Sequence, residues 1–397
     1  MSKFAIENTP KFLLLLVWFC FSSVAFAACK KTCNVLDYGA KADNHTDIGP
    51  PLMKAYADCL RATTGRPKDS IILVPKGDFL LRTNVLFRKG KGLTITFNGN
   101  LHLAFNPRLT GNMIGFTRCE NLVVNGQGNF YGYGDLYRPG GNRHYLPQRP
   151  RLVRFENCQD VVYSGFNLFD APLFHLVVAL GTRFEIHNFR ISSTDIGETD
   201  GIDVSGNNIH VHDVEIQSGD ECVTAKSPMD GLLVENIKCI NTDGCAIGSF
   251  GSSARGYSIK NVLYRNVTLI NASNGAVVKS YSSAQGSIRN VTYMDFTLEN
   301  VAYPIKFDHT WGETLRRTKR SAASQEWADV KFINFRGTGD KNRPLVTLHC
   351  PLNSPCTNFH FQNIQLTGST KTPMISSACG TTDALSRNVL NNYLPAC

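Results

Sequence analysis

Short apolar runs rich in β-branched and aromatic residues recur along the chain, separated by polar residues. They start at Asn121 (Asn-Leu-Val-Val), Asp160 (Asp-Val-Val-Tyr), Arg183 (Arg-Phe-Glu-Ile-His), Asn208 (Asn-Ile-His-Val-His), Gly231 (Gly-Leu-Leu-Val-Glu), Tyr257, Ser287, Asp329 and Asn358. Most are followed by Asn or Asp, Gly or Ser, and then by a second apolar run such as Val214-Glu-Ile or Phe361-Gln-Asn-Ile. From Asp160 to Tyr257 the starts fall 23 to 26 residues apart, and later intervals stretch as inserted loops would stretch them. Strands alternate with turns at this long period, which predicts a solenoid of parallel strands. A β-sandwich would give hairpin turns every 8–12 residues or so and no fixed long period. Helical spacing stands out once, between Pro50 and Cys59, where Leu52, Met53, Ala55, Tyr56 and Cys59 form an apolar stripe. This short helix is expected to cap the N-terminal end of the solenoid core.

The first residues carry a different signal. Lys3 and Lys11 precede an apolar run from Phe12 to Phe26, and Ala25-Phe26-Ala27 makes a small-x-small cleavage pattern. The run is short for a membrane span, so residues 1–27 read as a secretory signal peptide. An uncleaved anchor is the competing reading. No linker divides residues 28–397, which read as one domain. A secreted, extracellular chain agrees with 13 cysteines and with four acceptor sequons, at Asn44, Asn266, Asn271 and Asn290. Short separations suggest the disulfides Cys33–Cys59, Cys222–Cys239, Cys350–Cys356 and Cys379–Cys397 and leave Cys29, Cys119, Cys158 and Cys245 unassigned. No Cys or His spacing suits zinc, so neither a structural metal nor a cofactor is expected.

Charge narrows the partner. The formal net charge is +9, which suits an anionic partner. There is no Lys/Arg run with interleaved aromatics, so the expected partner is an acidic polysaccharide and not nucleic acid. A monomer without membrane contact after signal removal is expected.

Candidate chemistry lies in three consecutive coils. Residues one coil apart in a β-helix stack on rungs about 4.8 Å apart. Asp200 lies in Thr199-Asp200-Gly201-Ile202-Asp203, Asp220 and Glu221 lie in Gly219-Asp220-Glu221-Cys222, and Asp243 lies in Thr242-Asp243-Gly244-Cys245. The intervals of 20 to 21 and then 22 residues are each about one coil. These carboxylates are expected to form a row on one face. Stacked anions repel, which raises the proton affinity of one member. A carboxyl that holds its proton beside one that stays ionised is the pair that glycoside hydrolysis needs. Two other uses compete: backbone capping at turns, which would account for Asp203 or Asp213, and a calcium site. Lys279 follows Asp243 by 36 residues, read as one coil with an inserted loop. Its neighbours Val277 and Val278 place it in a strand, from which it is expected to reach the same face.

At these residues the chain resembles glycoside hydrolase family 28, the polygalacturonases and their relatives. The family pattern runs Asn-Thr-Asp-Gly-x-Asp, Asp-Asp-Cys, Gly-His-Gly before Gly-Ser-x-Gly, then Arg-Ile-Lys. This chain keeps Thr199 to Asp203, Asp220, Cys222, Gly244, Gly248-Ser249-Phe250-Gly251 and Lys279. It departs at Glu198, Glu221, Asp243 and Val277, which replace the motif Asn, second Asp, His and Arg. These departures are similar to the rhamnogalacturonan hydrolase branch, as are Asp220 to Pro228, Gly244 to Gly251, Asp170-Ala171-Pro172 with Phe174-His175, and Pro355-Cys356-Thr357. The resemblance implies an all-β, right-handed parallel β-helix of the pectin-lyase type. It implies Asp220 as general acid and Asp200 with Glu221 as the base pair holding water. Lys279 and Lys226 become contacts to galacturonate. Asp243, in the histidine's place, is a site residue that tunes Asp220. The implied reaction is inverting, endo-acting hydrolysis of the galacturonate-α-1,2-rhamnose bond. Exo-acting galacturonohydrolase, polygalacturonase, calcium-dependent lyase and non-catalytic wall-binding readings remain beside it.

Overall fold

The computed structural model describes residues 31–63, 70–140, 145–194, 197–312, 324–351, 354–390 and 393–397. The signal-peptide reading, and Cys29 with it, lies outside them. Residues 31–397 form one compact unit. Its strands pair in parallel, each with the strand one coil before and one coil after. Leu176–Ser192 pairs with Ile202–Gln217, which pairs with Val223–Ile240, which in turn pairs with Tyr257–Ile270. The result is a parallel β-helix.

The apolar runs explain the coil. Within Ile202–Gln217, residues Ile202, Val204, Ile209, Val211, Val214 and Ile216 point inward and are buried. The period of two breaks where the strand bends, at Asn208 (φ +54°) and Asp213 (φ +53°). Asn tolerates this left-handed conformation better than most residues, which is why Asn and Asp punctuate the runs. Stacking one coil on the next makes ladders of like side chains. Inside, Tyr264, Tyr293, Phe332 and Phe361 stack with centroids 5.1, 5.7 and 4.8 Å apart. At the bends, Asn266 donates to Asn236 at 2.8 Å, and Asn236 donates to Asp213 at 3.1 Å.

Three of the four sequon asparagines stand in such ladders: Asn266, Asn290 donating to Asn261 at 2.7 Å, and Asn271 accepting from Asn300 at 2.9 Å. Asn44 lies in an exposed turn instead.

Both ends are covered. The helix Gly49–Thr63 buries Leu52, Ala55, Tyr56 and Cys59, and the Cys33–Cys59 disulfide ties it down. A second helix, Ala384–Leu390, which the sequence pattern did not bring out, buries Leu390 at the other end. Covering the ends keeps unpaired strand edges from templating association. Further disulfides join Cys222–Cys239, Cys350–Cys356 and Cys379–Cys397. Cys119, Cys158 and Cys245 are buried free thiols.

Candidate active site

The coil register brings the motif carboxylates together. Ile202 pairs with Val223, and Val223 pairs with Cys245. Two residues earlier in each coil stand Asp200, Glu221 and Asp243, so these share one column, with Asp220 beside it. Backbone bonds lock the connections: Gly201 N donates to Glu221 O at 2.9 Å, and Asp243 N donates to Asp220 O at 2.8 Å. Gly244 is required here. Its φ is +87°, and a Cβ would lie 2.2 Å from the Asn274 carbonyl oxygen. Asp200, Asp220 and Glu221 each bring an oxygen within 4.8 Å of the others. Asp200 and Glu221 are 3% and 5% exposed, while Asp220 is less buried.

Lys279 enters from the side. Its rung partner is Gly248, not Asp243, so the 36-residue interval overshoots one coil by several positions. The long side chain still returns to the row. Its Nζ contacts Glu221 Oε1 and lies 3.9 Å from both Asp220 Oδ1 and Asp243 Oδ2. The Lys279 side chain is 5% exposed, so the ammonium is the buried counter-ion of the cluster.

Burial and the two lysines near the cluster, Lys279 and Lys226, divide the protons unequally. Burial, the Glu221 charge and a hydrogen bond with Glu221 push Asp220 up to about 8, against the pull of Lys279. Burial and the neighbouring Asp203, Glu221 and Asp220 charges also raise Asp200. Burial would raise Glu221 as well, but Lys279 and Lys226 outweigh it and hold Glu221 below the usual carboxylate range. Near neutral pH the site therefore keeps a protonated Asp220 beside an ionised Glu221. Further contacts orient Asp220: its Oδ2 accepts from Glu198 N at 2.8 Å and its Oδ1 from Glu221 N at 3.1 Å. Glu198 in turn pairs with Arg149.

Several residues differ from their sequence-based roles. Asp203 is not a turn cap. It lies in a strand, 5% exposed, with Lys226 Nζ 3.4 Å from its Oδ2. Lys226 is thus the counter-ion of a buried carboxylate in the protein itself, as Lys279 is for Glu221. Asp213, by contrast, does occupy a bend. Asp243 hydrogen bonds to Ser273 and faces Lys279. Val277 is fully buried, and its partner on the next rung is Lys306.

His175 belongs to the branch motif but has no chemical role in the sequence reading. It is fully buried, and its Nδ1 lies 3.0 Å from Asp200 O, while Nε2 accepts from Ala171 N at 3.2 Å. One ring nitrogen must carry a proton and the other must not, so the imidazole is neutral. Burial pushes its pKa down to about 4. His175 pegs the Asp200 backbone in place. An His two residues after Pro172-Leu173 gave no spacing signal for such a peg.

The three oxygens could also suit a cation, but the Lys279 ammonium already supplies a positive charge at Glu221. An acid and an ionised base side by side suit hydrolysis of a glycosidic bond.

Comparison with known proteins agrees with this geometry. The model of glycosyl hydrolases family 28 matches residues 65–384. An Aspergillus niger protein named "Probable rhamnogalacturonase E" is 33% identical over 87% of this chain and 74% of its own length. An Aspergillus flavus protein of the same name is 31% identical over 90% of this chain and 78% of its own. In three dimensions the chain is similar to the endo-xylogalacturonan hydrolase from Aspergillus tubingensis, with a TM-score of 0.74, 21% identity, and 89% and 98% of the two chains covered. The exopolygalacturonase from Thermotoga maritima also gives a TM-score of 0.74, at 19% identity, with 89% and 90% covered.

Proposed function

The chain belongs to glycosyl hydrolases family 28 and is a glycoside hydrolase, and on that footing we propose that it cleaves the galacturonate-α-1,2-rhamnose bond of rhamnogalacturonan outside the cell, in endo mode and with inversion. The relatives named rhamnogalacturonases, similar over most of both chains, support the substrate. The observation that carries the chemistry is the split of proton affinity between Asp220 and Glu221 around Lys279.

Asp220 donates its proton to the leaving glycosidic oxygen. Water lies against Asp200 and Glu221. Of these two, Asp200 is the better proton acceptor, because burial and its carboxylate neighbours raise its proton affinity while Lys279 and Lys226 hold that of Glu221 down. Glu221, clamped by Lys279, orients the water by accepting a hydrogen bond. The nearest oxygens lie closer than the usual 6.5–9.5 Å or so between acid and base in inverting enzymes. Inversion needs the water on the face of the ring opposite the leaving oxygen, so Asp200 and Glu221 hold the water under the anomeric carbon while Asp220 reaches past it to the leaving oxygen.

The test feeds the purified protein rhamnogalacturonan and homogalacturonan in parallel and follows products by anomeric NMR. The expected result is cleavage of rhamnogalacturonan with an inverted anomeric centre and little action on homogalacturonan. Preference for homogalacturonan would overturn the substrate. A retained configuration would recast Asp200 or Glu221 as a nucleophile. Unsaturated products absorbing in the ultraviolet would make the protein a lyase.

A further inference from the structure

The face changes character directly beyond the catalytic row. Asp200, Glu221 and Asp243 occupy three coils. The coils that follow place Lys279, Lys306, Tyr303, Trp311, Arg343 and His349 around the same side. Strand Tyr303–Asp308 turns Tyr303, Lys306 and Asp308 outward and buries Ile305 and Phe307. The turn after it is held by Asp308 Oδ1, which accepts from Thr310 N and Oγ1, each at 2.9 Å. Trp311 follows, its backbone N–H donating to Ser280 O at 2.9 Å. Its ring faces Lys279 Nζ at 4.7 Å and Lys306 Nζ at 4.9 Å, and thus links the catalytic cluster to the next coil.

Two features mark this surface as built for a ligand. Lys306 makes no hydrogen bond among the described residues, although its side chain is only 16% exposed. Its carboxylate neighbour, Asp308 Oδ2, lies 3.9 Å away, and its remaining contacts are the faces of the Tyr303 and Trp311 rings at 4.7 and 4.9 Å. Partly buried ammoniums are normally hydrogen bonded. Beside it, the buried oxygens Thr347 Oγ1 and Asn274 Oδ1 also lack a partner among the described residues. Thr347 is the rung partner of Lys306, and Asn274 is the rung partner of Tyr303. A cavity of about 630 Å³ opens over Tyr303, Lys306, Thr347 and His349. Asp308 is an ionised neighbour whose Oδ2 stands 3.9 Å from the ammonium, too far for a hydrogen bond, so the Lys306 donors stay unspent while Asp308 Oδ1 serves Thr310.

An alternating polymer explains why a cation and aromatic faces occur together. Rhamnose carries a methyl group and no charge, and one face of its ring suits an aromatic plane. Galacturonate carries a carboxylate, which needs a cation. Resting on the function proposed above, we propose that this surface binds the stretch of polysaccharide adjoining the cut, with Trp311 seating the neighbouring rhamnose ring and Lys306 taking the carboxylate of the galacturonate that follows it. Thr347, in the cavity lining, then meets a sugar hydroxyl, and Tyr303 flanks the acidic sugar.

The experiment is calorimetric titration of the full-length Asp220→Asn protein with rhamnogalacturonan oligosaccharides of increasing length, free or methyl-esterified. Adding Lys306→Gln is expected to weaken long free oligosaccharides about tenfold and to leave the esterified ones unchanged. Adding Trp311→Ala is expected to weaken both forms. Thermal melting checks each fold, and Trp311→Ala carries the test if Lys306→Gln does not fold. Equal affinity of the parent and both variants for the free oligosaccharides would overturn the binding surface while leaving the proposed substrate standing. A parent protein that binds no rhamnogalacturonan would overturn both.

Discussion

One geometry does opposite work in two regions of this molecule. At the bends, Asn266, Asn236 and Asp213 stack one coil apart and satisfy one another. An amide both donates and accepts, so a column of amides closes on itself. On the catalytic face, Asp200, Glu221 and Asp243 stack in the same way, but ionised carboxylates only accept. That column cannot close. It leaves Asp200 Oδ1 buried without a partner among the described residues, and cations hold it together, with Lys279 against Glu221 and Lys226 close by. The comparison teaches that the coil repeat sets which residues meet, while donor capacity decides whether the meeting stabilises the fold or stores reactivity.

The strongest way to break the comparison is at Asp220. Asp220→Asn removes the proton donor, and turnover of rhamnogalacturonan is expected to fall at least about 100-fold. Asp220 is already neutral near pH 7, so the amide changes no charge, and stability should fall only by the one backbone N–H contact the amide nitrogen cannot accept, about 1–3 kcal/mol. Assay and thermal melt together check this. Lys279→Met attacks both properties at once. It leaves Glu221 as an uncompensated buried charge, so stability should drop by about 3–5 kcal/mol, measured by denaturant unfolding. The rate should also fall, because Glu221 then takes up a proton that Lys279 had kept away.

The pH profile sharpens the same point. Asp220 must be protonated to act, and its pKa is pushed up to about 8. The rate should therefore fall about tenfold per pH unit above that value. On the acid side the rate should fall as the raised Asp200 takes up its proton. The two limbs belong to the coupled cluster and not to single residues. In the ladder the expected effect is smaller. Asn236→Ala removes one donated and one accepted hydrogen bond at φ +55°. Stability should fall by about 1–3 kcal/mol, with the turnover number unchanged. Least of all should a chelator matter. Activity is expected to survive it, and a loss restored by calcium would revive the lyase reading.

The sequence pattern made the solenoid legible because inward-facing residues, bends and coil length all repeat. The carboxylate row was legible for the same reason, since the coils between Asp200 and Asp243 carry no insertion. Beyond them counting fails. Gly248 to Lys279 spans 31 residues, Lys279 to Asp308 spans 29 and Asp308 to His349 spans 41, yet each pair is one rung apart. Loops of unequal length hide the register, so Lys306 and Trp311 could not be placed on the face. Asp203 was obscure for another reason. A buried ion pair with Lys226 needs three-dimensional contact, and an Asp two residues beyond a glycine looks the same as a turn residue in one dimension.

Difference infrared spectroscopy reads the proton on Asp220 without reference to any substrate. At pH 7 the wild-type protein should show a protonated carboxyl band that Asp220→Asn removes and that Glu221→Gln shifts to lower titration pH. A wild-type Asp220 that titrates in the ordinary carboxylate range, near about 4, would contradict the division of protons on which the proposed chemistry stands.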